Sequence, residues 1–310
     1  MKAVIYKIYG PPGVLQLTEV PKPTPKPNEV LVKVHATTVT IGDVIMRSFK
    51  LPIPWWQAIF ARLYLGVRQP KRQILGMELA GEIETVGNQV TKFKPGDQVF
   101  ASTFSVNFGG YAEYKCFPET GMLASKPVTL SYGEAAALPG GGMTALRCLH
   151  KAQIQPGQRV LIYGASGAVG TDAVQLARHF GATVTGVCGP TNLALVKSLG
   201  ADQVLDYTQE AFAHHNETYD VVFDAVGKLA PARAQTLRKR GGIHLNVHKD
   251  SDGGEKLEDL RLIGELAAAG HLRPVIDRSY PLAQIVKAHQ YVEQGHKKGN
   301  VIIHVIPTSV

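Results

Sequence analysis

The sequence is poor in cysteine and has no long apolar run. It contains three cysteines in 310 residues, and none is spaced as a metal-binding pair. Nothing suggests a disulfide framework, and a reducing compartment fits, so we expect a cytoplasmic protein. No apolar run is long enough to span a bilayer, and residues 1–6 alternate like a strand rather than a signal peptide. We therefore expect no membrane partner.

Acidic residues are also under-represented, with 25 against 33 basic residues and a formal net charge of +8. This sign of charge can indicate a nucleic-acid partner, but the Lys and Arg residues are scattered along the chain. The one dense run, residues 233–240, has helical spacing and is interpreted as a solvated helix face. The scattered charge therefore argues against a nucleic-acid partner, and an anionic cofactor accounts better for it.

What the sequence does contain is length enough for two domains, with 45% hydrophobic residues, and a clear motif at residues 160–170. An apolar run typical of a buried parallel strand is followed by Gly164, Gly167 and Gly170, and then by a helical pattern. With no side chain in the way, a pyrophosphate can approach the N–H groups that begin the helix. A tight turn without a ligand is the alternative, but this spacing in this context is the dinucleotide fingerprint.

The remaining pattern divides the chain. Residues 1 to about 125 are mostly β by pattern, and from residue 160 strands and helices alternate, which predicts a parallel sheet. Two helical stretches precede it, broken at residues 139–142. We predict strands at 160–163, 183–187, 203–205, 221–223 and 243–247, and helices at 132–137, 143–152, 170–180, 193–199 and 231–239.

Five further segments carry a resemblance to a known family: residues 74–81, 93–100, 109–114, 135–139 and 295–301. In order and spacing they resemble the medium-chain dehydrogenase/reductase superfamily, in its zinc-free branch around quinone oxidoreductases and enone reductases. The resemblance implies an α/β protein with a GroES-like β-barrel catalytic domain and a Rossmann doubly wound parallel sheet, with the active site in the cleft. The implied domains are residues 1–125 with 271–310, and residues 126–270.

The resemblance also bears on metal. Zinc alcohol dehydrogenases of this superfamily have a Cys near position 40 and a His directly before the Glu of a Gly-His-Glu motif. Here Thr40 and Met77 stand in these regions, and the lobe with four close cysteines is missing. A thioether is not the expected kind of zinc ligand, so we expect no metal site. Without a Lewis acid, hydride addition to an enone or quinone is favoured over oxidation of a simple alcohol.

The catalytic candidates rest on the resemblance alone. Thr40 and Asp43 match the family's Asn-x-x-Asp segment, with Thr in place of Asn. Thr40 is a candidate donor to the substrate or the nicotinamide, whereas Asp43 is explained equally well as a capping carboxylate. Thr144 matches a position beside the nicotinamide, and the alternative is a hydroxyl that bonds its own helix backbone.

The choice of cofactor depends on the end of the second predicted strand. NAD-specific Rossmann domains carry an acid there, but residues 188–192 contain none. Thr191 and Asn192 offer donors, Tyr207 matches a family tyrosine that contacts the 2′-phosphate, and Asp206 lies next to it. We therefore expect NADP (NADPH). The expected cofactor-binding residues are Thr144, Gly164, Ala165, Ser166, Gly167, Ala168, Val169, Gly170, Thr191, Asn192, Tyr207, Val226, Val247 and Asn300.

One segment is shorter than the family pattern. Residues 248–254 alone separate the fifth predicted strand from the last helix of this domain, where the family has a further helical stretch and a sixth strand. In many relatives that strand pairs across a dimer, so an oligomer is possible but the usual dimer strand is missing. His248, where a small residue is common, is either a proton donor or an exposed loop histidine.

The leading interpretation is an NADPH-dependent, zinc-independent reductase that transfers hydride to quinones or α,β-unsaturated carbonyls. Two alternatives stay open: an alcohol dehydrogenase on small alcohols, and a low-turnover NADPH-binding redox sensor or RNA-associated protein. The substrate cannot be read from residues 49–67, where Trp55 and Trp56 either line a pocket or pack on the core or surface.

Overall fold

The computed structural model describes residues 1–51, 54–251 and 254–306. The chain forms two compact units, Met1–Ala137 with Ile276–Val310, and Leu138–Val275. The first unit extends past residue 125 because the helix Tyr132–Ala136 packs on strands of that unit. None of the helices in the described part of the chain combines the length and apolar character needed to cross a membrane.

The first 137 residues build most of the first unit. Its elements are β1 (Lys2–Ile5), β2 (Gln16–Glu19), β3 (Glu29–Thr38), α1 (Ile41–Ser48), α2 (Trp55–Leu65), β4 (Glu78–Val86), β5 (Gln98–Ser102), β6 (Tyr114–Pro118), β7 (Leu123–Ser125) and α3 (Tyr132–Ala136).

The second unit begins with a helix and then alternates between strand and helix. Its elements are α4 (Pro139–Lys151), β8 (Arg159–Tyr163), α5 (Ala168–His179), β9 (Thr183–Cys188), α6 (Leu193–Ser198), β10 (Gln203–Asp206), α7 (Glu210–Ala213), β11 (Tyr219–Asp224), α8 (Pro231–Leu237), β12 (Arg238–Asn246), α9 (Val247–Asp250) and α10 (Leu257–Ala268). The chain then returns to the first unit through β13 (Ile276–Pro281), α11 (Ile285–Glu293) and β14 (Asn300–His304).

The first unit is built on one large sheet in the order β13-β14-β3-β4-β5-β7, with β6 also paired to β3. All its pairs are antiparallel except β13 with β14. Alternating apolar residues of β3, such as Val30, Val32 and Val34, are fully buried, as period-2 patterning requires. They join a core to which β14 contributes Val301 and Ile303, so the last strand completes this sheet.

The second unit contains a parallel sheet in the order β10-β9-β8-β11-β12. Counted within the unit, this is the strand order 3-2-1-4-5 of a doubly wound fold, and the predicted α/β class is confirmed. Because the strands are parallel, their carboxyl ends lie at one edge of the sheet. The strand order reverses at β8, and a crevice at that point is where such sheets bind ligands.

The glycines at the start of α4 contradict one local prediction. Residues 139–142 do not break a helix, because α4 begins at Pro139 and includes all three glycines. A Cβ atom at Gly141 would lie 2.5 Å from Oδ2 of Asp172, and one at Gly142 would lie 3.0 Å from Cγ2 of Ile263. The glycines therefore serve close packing of α4 against α5 and α10, which overrides their low helix propensity.

The basic run at residues 233–240 is divided between two elements, so its interpretation as one helix face was wrong. Helix α8 ends at Leu237, and Arg238, Lys239 and Arg240 begin strand β12. Pairing with β11 explains the change, because Arg238 is in register with Tyr219. In the described residues β12 ends the sheet, and the chain continues directly into α9 without a sixth strand.

Candidate functional site

The turn after β8 shows why two of its three glycines are required. Gly164 has φ +79°, and a Cβ atom there would lie 2.5 Å from Cγ1 of Val226. A Cβ atom at Gly170 would lie 2.1 Å from the carbonyl oxygen of Gly164. The turn therefore holds the start of α5 directly against the end of β8, as in dinucleotide-binding units.

The middle glycine has a different role. Gly167 is the N-cap of α5 with φ −78°, and a Cβ atom there would meet nothing closer than 3.6 Å. No side chain within the described part of the chain caps this helix. The first N–H groups of α5, which include those of Ala168 and Val169, are thus left for a ligand, and the helix dipole favours an anion. Ala165 is buried beneath the turn, and Ser166 is partly exposed.

A hydrogen bond connects this turn to the loop after β9. Asn192 Nδ2 donates to Ser166 Oγ at 3.1 Å, and Thr191 Oγ1 lies 3.4 Å from Asn192 Oδ1. Both residues belong to a short 3-10 helix that begins at Pro190. The two loops predicted to bind the cofactor are therefore adjacent in space.

The loop after β10 completes this edge of the sheet. Tyr207 is half exposed, and its hydroxyl lies 3.4 Å from the position of a Cβ atom on Gly189. The neighbouring Asp206 is turned elsewhere: its carboxylate accepts from the backbone N–H of Thr208 at 2.9 Å and from the Thr208 hydroxyl at 2.8 Å. The backbone bond from Thr208 is the main cause that lowers the pKa of Asp206. Asp206 thus caps its own turn, while the Tyr207 hydroxyl approaches residue 189.

Sequence reasoning missed one residue at this edge. Asp224, fully buried at the end of β11, accepts backbone hydrogen bonds from Gly227 at 2.8 Å and Leu229 at 2.9 Å. It also accepts from Asn246 Nδ2 at 3.3 Å, which connects the ends of β11 and β12. Asp224 therefore shapes the loop that carries Val226. The signal was present, since an Asp after an apolar strand with Gly three residues later is typical of an Asx-type turn.

Val247 and His248 directly follow β12. Both begin the short helix α9, which the Asn246 side chain caps by accepting from the backbone N–H of His248 at 3.0 Å. The ring of exposed His248 lies over Gly227, where a Cβ atom would be 2.2 Å from Cδ2. His248 thus borders the loop after β11, and its role as a proton donor stays a prediction.

Two further predicted cofactor residues belong to other elements of the chain. Thr144 lies on α4, the helix that packs against α5, and is partly exposed. Asn300 is 4% exposed and begins β14 in the first unit.

The two catalytic candidates form a capping box at the start of α1. The Thr40 hydroxyl accepts from the backbone N–H of Asp43 at 3.0 Å and donates to Asp43 Oδ2 at 2.7 Å. The other carboxylate oxygen accepts from the backbone N–H of Gly76 at 2.9 Å. Asp43 is fully buried, and burial raises its pKa to about 6 against the hydrogen bonds that lower it. The carboxylate thus connects α1 to the segment that leads into β4.

The positions at which zinc alcohol dehydrogenases hold their metal are in contact here. Thr40 Oγ1 lies 3.6 Å from the sulfur of Met77. Among residues 1–51, 54–251 and 254–306, no three His, Cys, Asp or Glu side chains form a group that could hold a metal ion. A hydroxyl and a thioether do not make the donor set of a zinc site.

Behind Asp43 lies a buried polar network that the sequence did not reveal. The Tyr111 hydroxyl contributes to lowering the pKa of Asp43 against the effect of burial, and it lies 3.1 Å from His289 Nε2. Burial, and then the nearby Arg47 cation, lower the pKa of His289 to about 3. The Arg47 side chain is itself fully buried and forms an ion pair with Glu293. The surroundings of the candidate segment are therefore fixed by residues far along the chain.

Comparisons with known proteins bear on both units. Residues 26–128 match the family described as "Alcohol dehydrogenase GroES-like domain". Residues 168–258 and 244–303 match two families described as "Zinc-binding dehydrogenase". These matches support a GroES-like domain in the first unit and the dehydrogenase nucleotide-binding fold in the second.

Individual relatives match nearly the whole chain. A tomato (Solanum lycopersicum) 2-methylene-furan-3-one reductase is 33% identical over 99% of this chain and 80% of its own. An Arabidopsis thaliana NADPH-dependent alkenal/one oxidoreductase, chloroplastic, is 30% identical with the same coverage. Among solved structures, the quinone oxidoreductase from Coxiella burnetii superposes with a TM-score of 0.82 at 28% identity and covers 99% of both chains.

Proposed function

Because this chain belongs to the medium-chain dehydrogenase/reductase superfamily, in its quinone oxidoreductase-like branch, we propose that it is an NADPH-dependent reductase of quinones or α,β-unsaturated carbonyls. The observation that carries the proposal is the glycine turn, closed at Gly164 and Gly170 and open at Gly167. The residues present fit a dinucleotide, since the turn leaves helix N–H groups for a pyrophosphate.

The loops around the turn supply the remaining contacts. We assign the pyrophosphate to the backbone of residues 164–170, and the 2′-phosphate to Thr191, Asn192 and Tyr207. These three side chains carry donor groups, and the carboxylate of the neighbouring Asp206 accepts hydrogen bonds from Thr208. Val226 borders the turn, and Val247 begins the helix that follows β12. Thr144 and Asn300 remain proposed contacts to the nicotinamide half.

NADPH supplies the hydride when it is bound, and the protein supplies position and a hydrogen-bond donor for the enolate or phenolate oxygen. The geometry supports a positioning role for Thr40 and Asp43, because their polar groups bond to each other and to Gly76. The Thr40 hydroxyl can donate to a substrate only if it gives up its bond to Asp43. No step requires a metal, and Thr40 with Met77 does not fit zinc.

The test is NADPH consumption by the purified protein over a panel of quinones, enones and alkenals, with small secondary alcohols and NADP⁺ in the reverse direction. We expect turnover with members of the first group and none with the alcohols. Metal analysis of the same sample should find less than stoichiometric zinc. Alcohol turnover with one zinc per chain would favour an alcohol dehydrogenase, and tight NADPH binding without turnover would favour a redox sensor.

Location and assembly remain predictions. The name of the Arabidopsis relative places that protein in the chloroplast, so a cytoplasmic location for this chain needs its own measurement. The sheet lacks, within the described residues, the sixth strand that pairs across the family's usual dimer. We therefore propose that any oligomer uses another surface.

A further inference from the structure

Helix α2 carries its large apolar side chains on the face that is turned to solvent. Positions 55, 59 and 63, and positions 56, 60 and 64, are each four residues apart and therefore share one side of the helix. Each of the six side chains is between 51% and 79% exposed. We call these residues the α2 stripe: Trp55, Trp56, Ile59, Phe60, Leu63 and Tyr64.

The opposite face of α2 anchors the helix to its own unit. The Arg62 guanidinium lies over the rings of Tyr9 and Phe49, at 4.7 Å and 4.2 Å from their centroids. The Tyr9 hydroxyl donates to the carbonyl of Leu65 at 3.0 Å, and Lys71 Nζ donates to the carbonyl of Leu63 at 3.1 Å. The helix is thus fixed with its apolar side outward. Large exposed apolar patches are rare on protein surfaces and usually mark the place where another molecule binds.

The charge around the stripe restricts that occupant. Between Asp43 and Glu78 the chain has six basic residues and no acidic residue. Lys50, which precedes the helix in the chain, and Arg68 and Lys71, which follow it, are all exposed. A second copy of this surface would place cations against cations, which disfavours a symmetric dimer here. An apolar face with aromatic residues and flanking cations matches the interface of a bilayer that contains anionic lipids.

We propose that α2 seats the protein on the surface of a bilayer containing anionic phospholipids. The α2 stripe enters the boundary between headgroups and acyl chains, and Lys50 and Arg68 contact lipid phosphates. The helix has 11 residues and is about 16 Å long, roughly half of the hydrocarbon thickness, so it lies in the membrane plane. The sequence analysis expected no membrane partner because no apolar run is long enough to span a bilayer. A helix that lies on the bilayer surface does not require such a run.

The chain offers a built-in probe, because its two tryptophans, Trp55 and Trp56, both lie in the stripe. Tryptophan emission therefore reports on α2 alone. We would titrate the full chain with vesicles of phosphatidylcholine, with and without phosphatidylglycerol, and with brominated acyl chains as quenchers. We expect a blue shift and quenching with the anionic vesicles, at least about tenfold weaker binding to phosphatidylcholine alone, and weakening by salt.

Two variants and their controls separate the apolar and charged contributions. Phe60→Glu should weaken binding at least about tenfold, since it places a charge in the stripe. Val128→Glu makes the same kind of change at a residue that is 94% exposed elsewhere in the unit, and should leave vesicle binding unchanged. Arg68→Glu should weaken binding to anionic vesicles roughly fivefold or more, whereas Lys94→Glu, in an exposed turn, should not.

Each other outcome overturns the proposal. Emission that does not respond to either vesicle would leave the stripe without a lipid partner. A blue shift that grows with protein concentration alone would assign the stripe to a second copy, and a shift with a quinone or enone in the absence of vesicles would assign it to a substrate pocket. Equal effects of Phe60→Glu and Val128→Glu would show that net charge, not the stripe, controls binding. These readouts do not depend on reductase activity.

Discussion

The glycine turn of the second unit and the Thr40–Asp43 segment of the first unit meet opposite demands. In the turn, the groups available to a ligand belong to the backbone: Gly164 and Gly170 allow the start of α5 to pack against the end of β8, and within the described residues no side chain caps the helix at Gly167. In the segment, the side chains themselves are the polar groups, and they are satisfied by partners within the protein. A backbone site of this kind can therefore be recognised in the sequence from its run of small residues. The polar side chains of Thr40 and Asp43, in contrast, stabilise the fold, and they can bind a substrate only if the substrate replaces one of their hydrogen bonds.

The largest effect of a single substitution is expected at Gly167, where the backbone of the turn is open. We expect Gly167→Asp to fold, because the backbone has φ −78° and a Cβ atom fits, and to weaken NADPH binding at least about 100-fold through repulsion and loss of charge-assisted hydrogen bonds. Calorimetric titration with NADPH measures the change. Gly167→Asn is the matched control for bulk and should bind more tightly than the aspartate variant. Unchanged affinity in folded Gly167→Asp would exclude this turn as the phosphate site.

The loop after β9 is the second place where a carboxylate should oppose cofactor binding. Gly189→Asp places a carboxylate near the Tyr207 hydroxyl, where we assign the 2′-phosphate. A charge-assisted hydrogen bond contributes about 1.5–3 kcal/mol, so we expect NADPH to bind about 10- to 100-fold more weakly while NADH changes little or improves. Titration of both cofactors against Gly189→Asp and the neutral Gly189→Asn decides the matter. If the wild type binds both cofactors equally, the missing acid only permits NADPH and does not select it.

The buried pair of Asp43 and His289, on either side of the Tyr111 hydroxyl, should affect how the free energy of unfolding depends on pH. At pH 5 native Asp43, with a pKa of about 6, keeps its proton, and native His289, with a pKa of about 3, holds none. In the unfolded chain, at ordinary pKa values of 3.8 and 6.5, the proton is on the histidine instead. Both states then hold one proton at this pair, so the pair contributes almost no slope between about pH 4 and pH 6.

His289→Gln removes the group that binds the proton in the unfolded chain, and it keeps an amide near the Tyr111 hydroxyl. The Asp43 contribution is fully present below its unfolded pKa of 3.8 and is lost as the pH rises through about 6. Relative to wild type, the free energy of unfolding of the variant should therefore fall by up to about 1.4 kcal/mol per pH unit between pH 4 and pH 6. Urea denaturation at several pH values measures this. Parallel curves for the two proteins would contradict the assigned protonation states.

The smallest effect is expected at Thr40. Thr40→Val removes the N-cap of α1 and should cost about 1 kcal/mol of stability, whereas Thr40→Ser keeps the capping hydroxyl and should stay within a few tenths. Because the hydroxyl is bonded to Asp43, we expect kcat to change little in either variant. A large loss of kcat in Thr40→Val, restored in Thr40→Ser, would show instead that this hydroxyl contacts the substrate.

The parallel sheet and its phosphate turn could be predicted because their determinants are local. Three glycines between an apolar run and a helical pattern require no knowledge of distant residues. The glycines of α4 misled the prediction because their reason lies in Asp172 and Ile263, on other helices. Likewise, Arg238 belongs to a strand because it pairs with Tyr219 of β11. The helical spacing of the basic residues around it gives no indication of that pairing.

The catalytic segment was the hardest part to predict for the same reason. The capping box of Thr40 and Asp43 is visible in a four-residue pattern and was one of the two interpretations of Asp43. The bond to Gly76 and the network through Tyr111 and His289 join parts of the chain up to 246 residues apart, counting the Arg47–Glu293 pair. Long-range side-chain contacts of this kind leave no periodic signal in one sequence.

The loss of the sixth strand leaves β12 with an uncovered row of backbone donors and acceptors in the described sheet. Such a row invites strands of other chains, and proteins commonly protect it with charge. Here Arg238, Lys239 and Arg240 begin that strand. Arg238 and Arg240 are exposed at this end of the strand, whereas Lys239 forms an ion pair with Asp220. The two exposed cations disfavour the addition of another basic strand at this end of the edge, which is how charge protects such an edge.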